Sequence, residues 1–161
     1  MPIVLSRIDQ RLIHGITVND WNAVLSPKRF MVIDDLISSD EVVKSSMRMS
    51  KPAGTGMSII STETAITNFK AGKYDAQAVF VIVKEPATLL ALVDAGISVP
   101  AVNIGVIFNE DGRVPVTSRV ALNEAEATDL RSLQDHGLDV TFQYRPNDDK
   151  VSLDSALKGK F

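Results

Sequence analysis

The chain has 161 residues, 45% hydrophobic and 23% charged, the length and composition of one globular domain rather than a disordered or fibrous chain. A formal net charge of −3 argues against a broad phosphate-tracking surface and so against nucleic acid as a partner; the absence of cysteine excludes disulfides, thiol nucleophiles and thiolate metal sites. No apolar run approaches the roughly 20 residues that span a bilayer, and residues 1–5 lack the basic head and apolar segment of a signal peptide, so a cytoplasmic protein is expected.

Short β-branched runs alternate with helical patterns along the chain. Ile3-Val4-Leu5 opens the first strand, and Thr17 with Asp20 has the spacing of a capping box before a helix whose apolar face is Val18, Trp21, Val24 and Leu25. Phe30-Met31-Val32-Ile33 is a second strand ending in Asp34-Asp35, and Ser38 with Glu41 suggests a second capping box before a helix that runs to Met49. Met57-Ser58-Ile59-Ile60 is a third strand ending in Ser61-Thr62, followed by a helix over residues 63–70 stopped at Gly72. The run Ala78-Val79-Phe80-Val81-Ile82-Val83 suits a central parallel strand covered on both faces; Lys84 ends it, and Pro86 fits the first turn of a helix closed at Gly96.

After Ala101-Val102-Asn103-Ile104 the rhythm changes. Asn109-Glu110-Asp111-Gly112 reads as a turn, and the alternation over residues 113–122 suggests an antiparallel edge strand. Asn123 and Glu126 cap a helix ending near His136-Gly137, residues 138–144 supply a last strand, and the tail from Pro146 is polar with a short amphipathic end. Strand and helix alternate at βαβ spacing. The expected architecture is therefore one α/β domain over residues 1–161, an open, mostly parallel sheet of about seven strands, one antiparallel at an edge, with helices on both faces.

In such a sheet the reactive groups sit at the carboxyl ends of the strands. His14 lies there, between the first strand and the first helix, in Arg7-Ile8-Asp9-Gln10-Arg11-Leu12-Ile13-His14-Gly15. Imidazole titrates near neutral pH and is also a nucleophile, so His14 could act as base, ligand or covalent carrier. Arg7 and Arg11 add permanent positive charge, and the Arg11 guanidinium matches phosphoryl oxygens. Gly15 removes side-chain bulk at a helix start whose amides suit an anion. Asp9 could orient an arginine or accept an imidazole N–H, and Arg7 could equally form a structural ion pair with Asp9 or a strand neighbour. Phosphoryl transfer depends mainly on positioning and charge neutralisation, which this cluster supplies.

Other residues are candidates for supporting that site. Asp34 and Asp35, Ser61 and Thr62, and Lys84 end neighbouring strands on the same sheet edge. His136, in the last turn of its helix, suits contact with terminal carbonyls better than chemistry. No glycine-rich nucleotide fingerprint follows the first strand, Pro52-Ala53-Gly54-Thr55-Gly56 lacks the Lys-Ser/Thr close of a P-loop, and no paired-histidine metal motif or nucleophile elbow is present. No metal and no cofactor are expected.

The stretch from Arg7 to Gly15, with Trp21 after it, resembles the phosphorylation loop of the IIB component of the mannose/fructose/sorbose family of the bacterial phosphoenolpyruvate-dependent sugar phosphotransferase system. Val32-Ile33-Asp34-Asp35, Gly72-Lys73-Tyr74, Val83-Lys84-Glu85-Pro86, Asp94-Ala95-Gly96-Ile97, Val102-Asn103-Ile104-Gly105 and Pro146-Asn147-Asp148 extend the resemblance in order along nearly the whole chain. The resemblance implies a protein-N(pi)-phosphohistidine–sugar phosphotransferase. It would accept a phosphoryl group from a phosphohistidine on a IIA partner and pass it to a sugar held by membrane IIC and IID partners. His14 matches the phosphorylated residue, Arg11 the arginine that neutralises the phosphoryl group, and Asp9 a loop acid that orients the site. The resemblance also implies an open, largely parallel sheet, a homodimer, and peripheral association with a membrane transporter complex.

Four positions depart from the family pattern. Gln10 stands where a second aspartate is usual, Ile16 where glutamine usually follows the His-Gly pair, and Val106-Ile107 where Asn-Val-Gly commonly continues with Gly or Asn and then Met. None removes His14 or Arg11. They leave room for a second reading, a regulatory or interaction module that keeps the fold and the phosphorylation of His14 without transport. An independent hydrolase fits less well: histidine phosphatases place arginine directly before the nucleophile, where this chain has Ile13, and need a second catalytic histidine.

Overall fold

The first strand does not stop at its apolar opening. β1 (Ile3–Asp9) carries Arg7 and Asp9 inside the sheet, both fully buried. A computed structural model describes residues 1–110 and 112–161. After a π-helical stretch, Ile16–Trp21, the chain continues into α1 (Asn22–Leu25), β2 (Arg29–Ile33), a 3-10 turn, Ile37–Ser39, and α2 (Glu41–Met49). Then come β3 (Gly56–Ile60), α3 (Thr62–Lys70), β4 (Val79–Val83), α4 (Pro86–Asp94) and β5 (Ala101–Val106). The last part holds β6 (Val114–Pro115), β7 (Ala121–Leu122), α5 (Glu124–Asp135), β8 (Asp139–Phe142), β9 (Val151–Ser152) and α6 (Leu153–Leu157).

Among the described residues, seven strands form one sheet in the order β3-β2-β4-β1-β5-β8-β9, parallel throughout except for β9 against β8. This is the expected architecture, with β4 buried along its whole length between β2 and β1. The antiparallel edge comes from β9, however, not from residues 113–122. Those residues pair with each other as the β6–β7 hairpin, joined to the main sheet by a bridge between Ile107 and Val120. The predicted turn at 109–112 includes Asp111, which lies outside the described residues.

Two apolar layers cover the sheet. Leu12, Val18 and Trp21 pack with Phe30, Val32, Phe80 and Ile82 on one face. Side chains of α3, α4, α5 and α6 pack with Met31, Val81, Ile8 and Ile104 on the other. Burial of these side chains is the main favourable term, each contributing about 1.5–3 kcal/mol against the entropy of ordering the chain. Right-handed crossovers thus leave β1 toward β2 and β5 toward β8 in opposite directions, which opens a crevice at the carboxyl ends of β1 and β5.

The helix starts are partly those the sequence suggests. Asn123 accepts the Glu126 amide and Glu126 accepts the Asn123 amide, the expected capping box. Glu126 also takes two parallel bonds from Arg113, each 3.0 Å, which pins the hairpin to α5 and raises the Arg113 guanidinium above its ordinary value. Pro86 occupies the first turn of α4 as expected. The two other capping boxes are not formed. Asp40, not Ser38, caps α2 by accepting the Val43 amide at 3.1 Å, because Ser38 lies in the preceding 3-10 turn. Thr17 lies inside the π-helical stretch, where its hydroxyl serves the loop before it.

Candidate functional site

The loop after β1 is folded by Asp9. Its Oδ1 accepts the Arg11 amide at 2.9 Å, its carbonyl accepts the Leu12 amide at 2.9 Å, and Leu12 takes the left-handed conformation at φ 57°. That conformation costs a leucine about 1–2 kcal/mol. Burial of the Leu12 side chain against Trp21, Phe30 and Phe80 offsets it. The Thr17 hydroxyl closes the loop. It accepts the His14 amide at 3.0 Å and its proton faces the carbonyls of Leu12 (3.0 Å) and His14 (2.9 Å). The helix that follows begins as a π-turn, a form common at functional sites.

His14 meets Asp9 through Nε2, 2.7 Å from Oδ2. A carboxylate only accepts, so Nε2 carries the proton and Nδ1 is left with its lone pair when the ring is neutral. Nδ1 has no hydrogen-bond partner among the described residues and is covered in this arrangement. Asp9 Oδ2 also accepts Arg7 Nε at 3.0 Å. Arg7 is wholly buried, so of its two sequence roles the structural ion pair is the one formed; it supports Asp9 and has no exposed surface to offer a phosphoryl group. Its Nη1 donates to Asn103 Oδ1 and to the Gln143 carbonyl, and its guanidinium lies 5.3 Å from the Trp21 ring centroid. Burial pulls Arg7 below its ordinary value, against the opposing pull of Asp9.

Arg11 is exposed, and its guanidinium has no ion-pair partner among the described residues. It lines a cleft of about 670 Å³ with Phe108 and the hairpin residues Thr117, Ser118 and Arg119, in the crevice between β1 and β5. Gly15 stands just before the π-helical stretch with φ −51°; a Cβ there would meet only Asn19, at 3.8 Å. The chain's own packing does not require glycine at that position.

The remaining candidates serve other contacts. Asp34 Oδ1 accepts the Leu36 and Ile37 amides, and Asp35 Oδ1 accepts the Thr62 amide at 2.8 Å. Ser61 caps α3 by accepting the Thr64 amide. Lys84 follows Val83, the register partner of Ile8, and is half-buried. None of these side chains is hydrogen-bonded to Asp9, Arg11 or His14. Among the described residues no group of three His, Asp or Glu side chains is placed to hold a metal ion.

The residues that sequence reasoning left without a role are Asn103, Gly105 and Gln143. A signal for two of them was present. Asn103 and Gly105 interrupt an apolar strand two positions apart, hence on one face, and Asn103 is the register partner of Arg7.

Residues 3–161 match the sequence family described as PTS system sorbose subfamily IIB component. The chain is 31% identical over 153 residues to the N-acetylgalactosamine-specific phosphotransferase enzyme IIB component 1 of Escherichia coli (strain K12), covering 94% of this chain and 96% of that one. It is 27% identical over 158 residues to the PTS system mannose-specific EIIAB component of the same organism, covering 98% of this chain but 47% of that longer protein. The crystal structure of the IIBSor domain of the sorbose permease from Klebsiella pneumoniae has the same fold, with a TM-score of 0.95 and 28% identity over 100% of this chain and 99% of that one.

Proposed function

The chain belongs to the sorbose subfamily of phosphotransferase-system IIB components, phosphoryl carriers in sugar uptake, and from that premise we propose that His14 is the carrier residue and Nδ1 the atom phosphorylated. The observation that carries this reading is the hydrogen bond from Nε2 to Asp9, which reserves the other ring nitrogen as nucleophile. The Nδ1 lone pair forms a bond to phosphorus as the donor's N–P bond breaks, and the donor imidazole keeps that electron pair. Asp9 stabilises the positive charge that the His14 ring gains. In the second step a sugar hydroxyl oxygen attacks phosphorus, the Nδ1–P bond breaks with its electron pair returning to Nδ1, and the hydroxyl proton passes to a base on the sugar-holding partner or to solvent.

Arg11 neutralises the phosphoryl oxygens in both steps, a role supported by its exposed guanidinium, which is unpaired among the described residues. Nδ1 is covered at rest, so docking of the donor draws the loop over residues 10–14 outward. The donor is a phosphohistidine on a IIA protein or domain, supported by the relative named EIIAB, of which this chain matches only part. The acceptor is a sugar held by IIC and IID partners. No helix among the described residues is long and apolar enough to cross a membrane, which fits a component that works beside such partners in the cytoplasm. The whole of residues 1–161 acts as one IIB domain, and the exposed Leu36, Val42 and Met49 support pairing with a second copy.

The test is transfer from the upstream phosphorelay with labelled phosphoenolpyruvate. The wild-type chain takes up label and loses it when membranes containing IIC and IID and the sugar are added. Label should be absent from a folded His14→Gln variant. Undiminished labelling of that variant overturns the assignment, and uptake without sugar-dependent discharge favours the regulatory module.

A further inference from the structure

Arg7 is the least expected side chain in the interior. It is fully buried, its charge is opposed by desolvation, and it sits in a strand between two parallel neighbours. Five groups receive it: the Asp9 carboxylate, the Asn103 side-chain oxygen, the Gln143 carbonyl and the Trp21 and Tyr144 rings. Asn103 is itself fixed, since its Nδ2 donates to the same Gln143 carbonyl at 3.0 Å. On the remaining side the guanidinium meets empty space. A Cβ on Gly105 would overlap the Arg7 guanidinium, and the atom it would strike first is Nη2, which has no hydrogen-bond partner among the described residues. The space of the missing side chain is thus where the guanidinium lies.

A buried ion pair is a poor device for stability alone, because an apolar pair of similar volume often does as well or better. This one has a second consequence. Asp9 Oδ2 is shared by Arg7 Nε and His14 Nε2, at 3.0 and 2.7 Å. Arg7 therefore sets both where that oxygen lies and how much of its negative charge the imidazole meets. If Arg7 withdraws, Oδ2 is free to shift away from the Nε2–H, and the ring loses the contact that reserves Nδ1 as its lone-pair nitrogen.

We propose that Asn103 and Gly105 are positioning residues for phosphoryl transfer: together they seat the Arg7 guanidinium so that Asp9 holds the His14 ring by its Nε2–H and leaves Nδ1 for the phosphoryl group. They touch neither donor nor sugar and act through Arg7 and Asp9. The proposal rests on the reading of His14 as phosphoryl acceptor.

The experiment uses the full chain with ¹⁵N-labelled histidine, compared as wild type, Asn103→Ala and Gly105→Ala at neutral pH. Each is checked for folding by its amide spectrum. In the wild type the His14 ring should show one pyrrole-type nitrogen, Nε2, and one pyridine-type nitrogen, Nδ1. In both variants that signature should give way to a mixture of the two tautomers, and phosphoryl acceptance should slow roughly tenfold to a hundredfold, the range expected when a reacting group is misplaced. In an Arg7→Lys background, whose smaller head relieves the overlap, Gly105→Ala should add little further loss. A folded Asn103→Ala chain with the wild-type ring signature and rate overturns the proposal, as does an equal Gly105→Ala effect in both backgrounds. Should Gly105→Ala fail to fold, Asn103→Ala decides alone. If the wild-type chain accepts no phosphoryl group, the reading of His14 fails, and the ring spectra still decide whether Asn103 and Gly105 set its tautomer.

Discussion

The side-chain carbonyl of Gln10 accepts the backbone N–H of Phe108 at 2.8 Å, tying the loop after β1 to the segment after β5. A second bond, from the Gln10 amide to the Val106 carbonyl at 2.9 Å, lies beside it. These two bonds close one end of the cleft lined by Arg11 and Phe108. Gln10 is thus more than a neutral replacement for a loop acid. Gln10→Ala removes the acceptor at an exposed site and should cost about 0.5–1.5 kcal/mol. Amide exchange at Phe108 should accelerate in that variant, while Gln10→Glu, which keeps an acceptor, should stay near wild type.

Arg11 and Arg7 are both arginines of the same motif, but only Arg11 faces solvent. Arg11→Gln should leave the denaturation midpoint nearly unchanged, since an exposed side chain contributes little to stability. Phosphoryl transfer in this variant should fall by about 10²–10³-fold, the usual loss when one preorganised donor to a charged transition state is removed. Rapid-quench measurement of label transfer checks the rate and thermal melting checks the stability.

The regular parts of the fold were legible because periodicity and caps agree there. Val79 to Val83 is apolar at every position and proves to be the central strand; Asn123 and Glu126 satisfy each other as their spacing requires. Alternation over residues 113–122 shows a pleated segment but not its partner, and the antiparallel edge beside β8 is instead the two-residue β9. The site was legible as residue types and not as geometry. His14, Asp9 and Arg11 stand together in sequence, but nothing in the sequence says that Arg7 points into the sheet. That follows from its register opposite Asn103 and from the space at Gly105, both of which are long-range facts.

The hairpin that walls the cleft is held to α5 by Glu126, which also caps that helix. Glu126→Ala removes the cap partner and, among the described residues, leaves Arg113 with the Phe108 carbonyl and the exposed Glu110. The loss should be about 1–3 kcal/mol in unfolding by urea. Glu126→Gln keeps a capping acceptor and should lose less.

Burial and the neighbouring Glu126 carboxylate raise the Asp129 carboxyl above its ordinary value of 3.8. The folded chain therefore holds that proton to higher pH than the unfolded chain does. Stability contributed by Asp129 falls as pH rises from 3.8 through the raised value and is constant above it. Asp129→Asn should accordingly stabilise the protein at neutral pH, by at most about 0.5 kcal/mol because solvent screens a half-buried side chain. The gain should vanish below pH 3.8, as read from urea midpoints across the acid range.

Arg7 and Asp9 allow stability to be separated from chemistry. Burial lowers Arg7 despite its carboxylate neighbour, so the folded interior disfavours that charge relative to water. Removing one partner is still costly. Arg7→Met leaves the Asp9 carboxylate buried without its counter-charge, and a loss of about 3–5 kcal/mol is expected. The double replacement Arg7→Met with Asp9→Leu removes both charges together, and its unfolding free energy should return most of the way to wild type. It should not restore phosphoryl transfer, because His14 Nε2 then has no acceptor and the ring no longer has one fixed tautomer. Denaturant titration and label transfer on the same three proteins measure both quantities. A double variant as unstable as Arg7→Met would mean that the pair holds the fold together. A stable but inactive one means that the two buried charges serve the histidine.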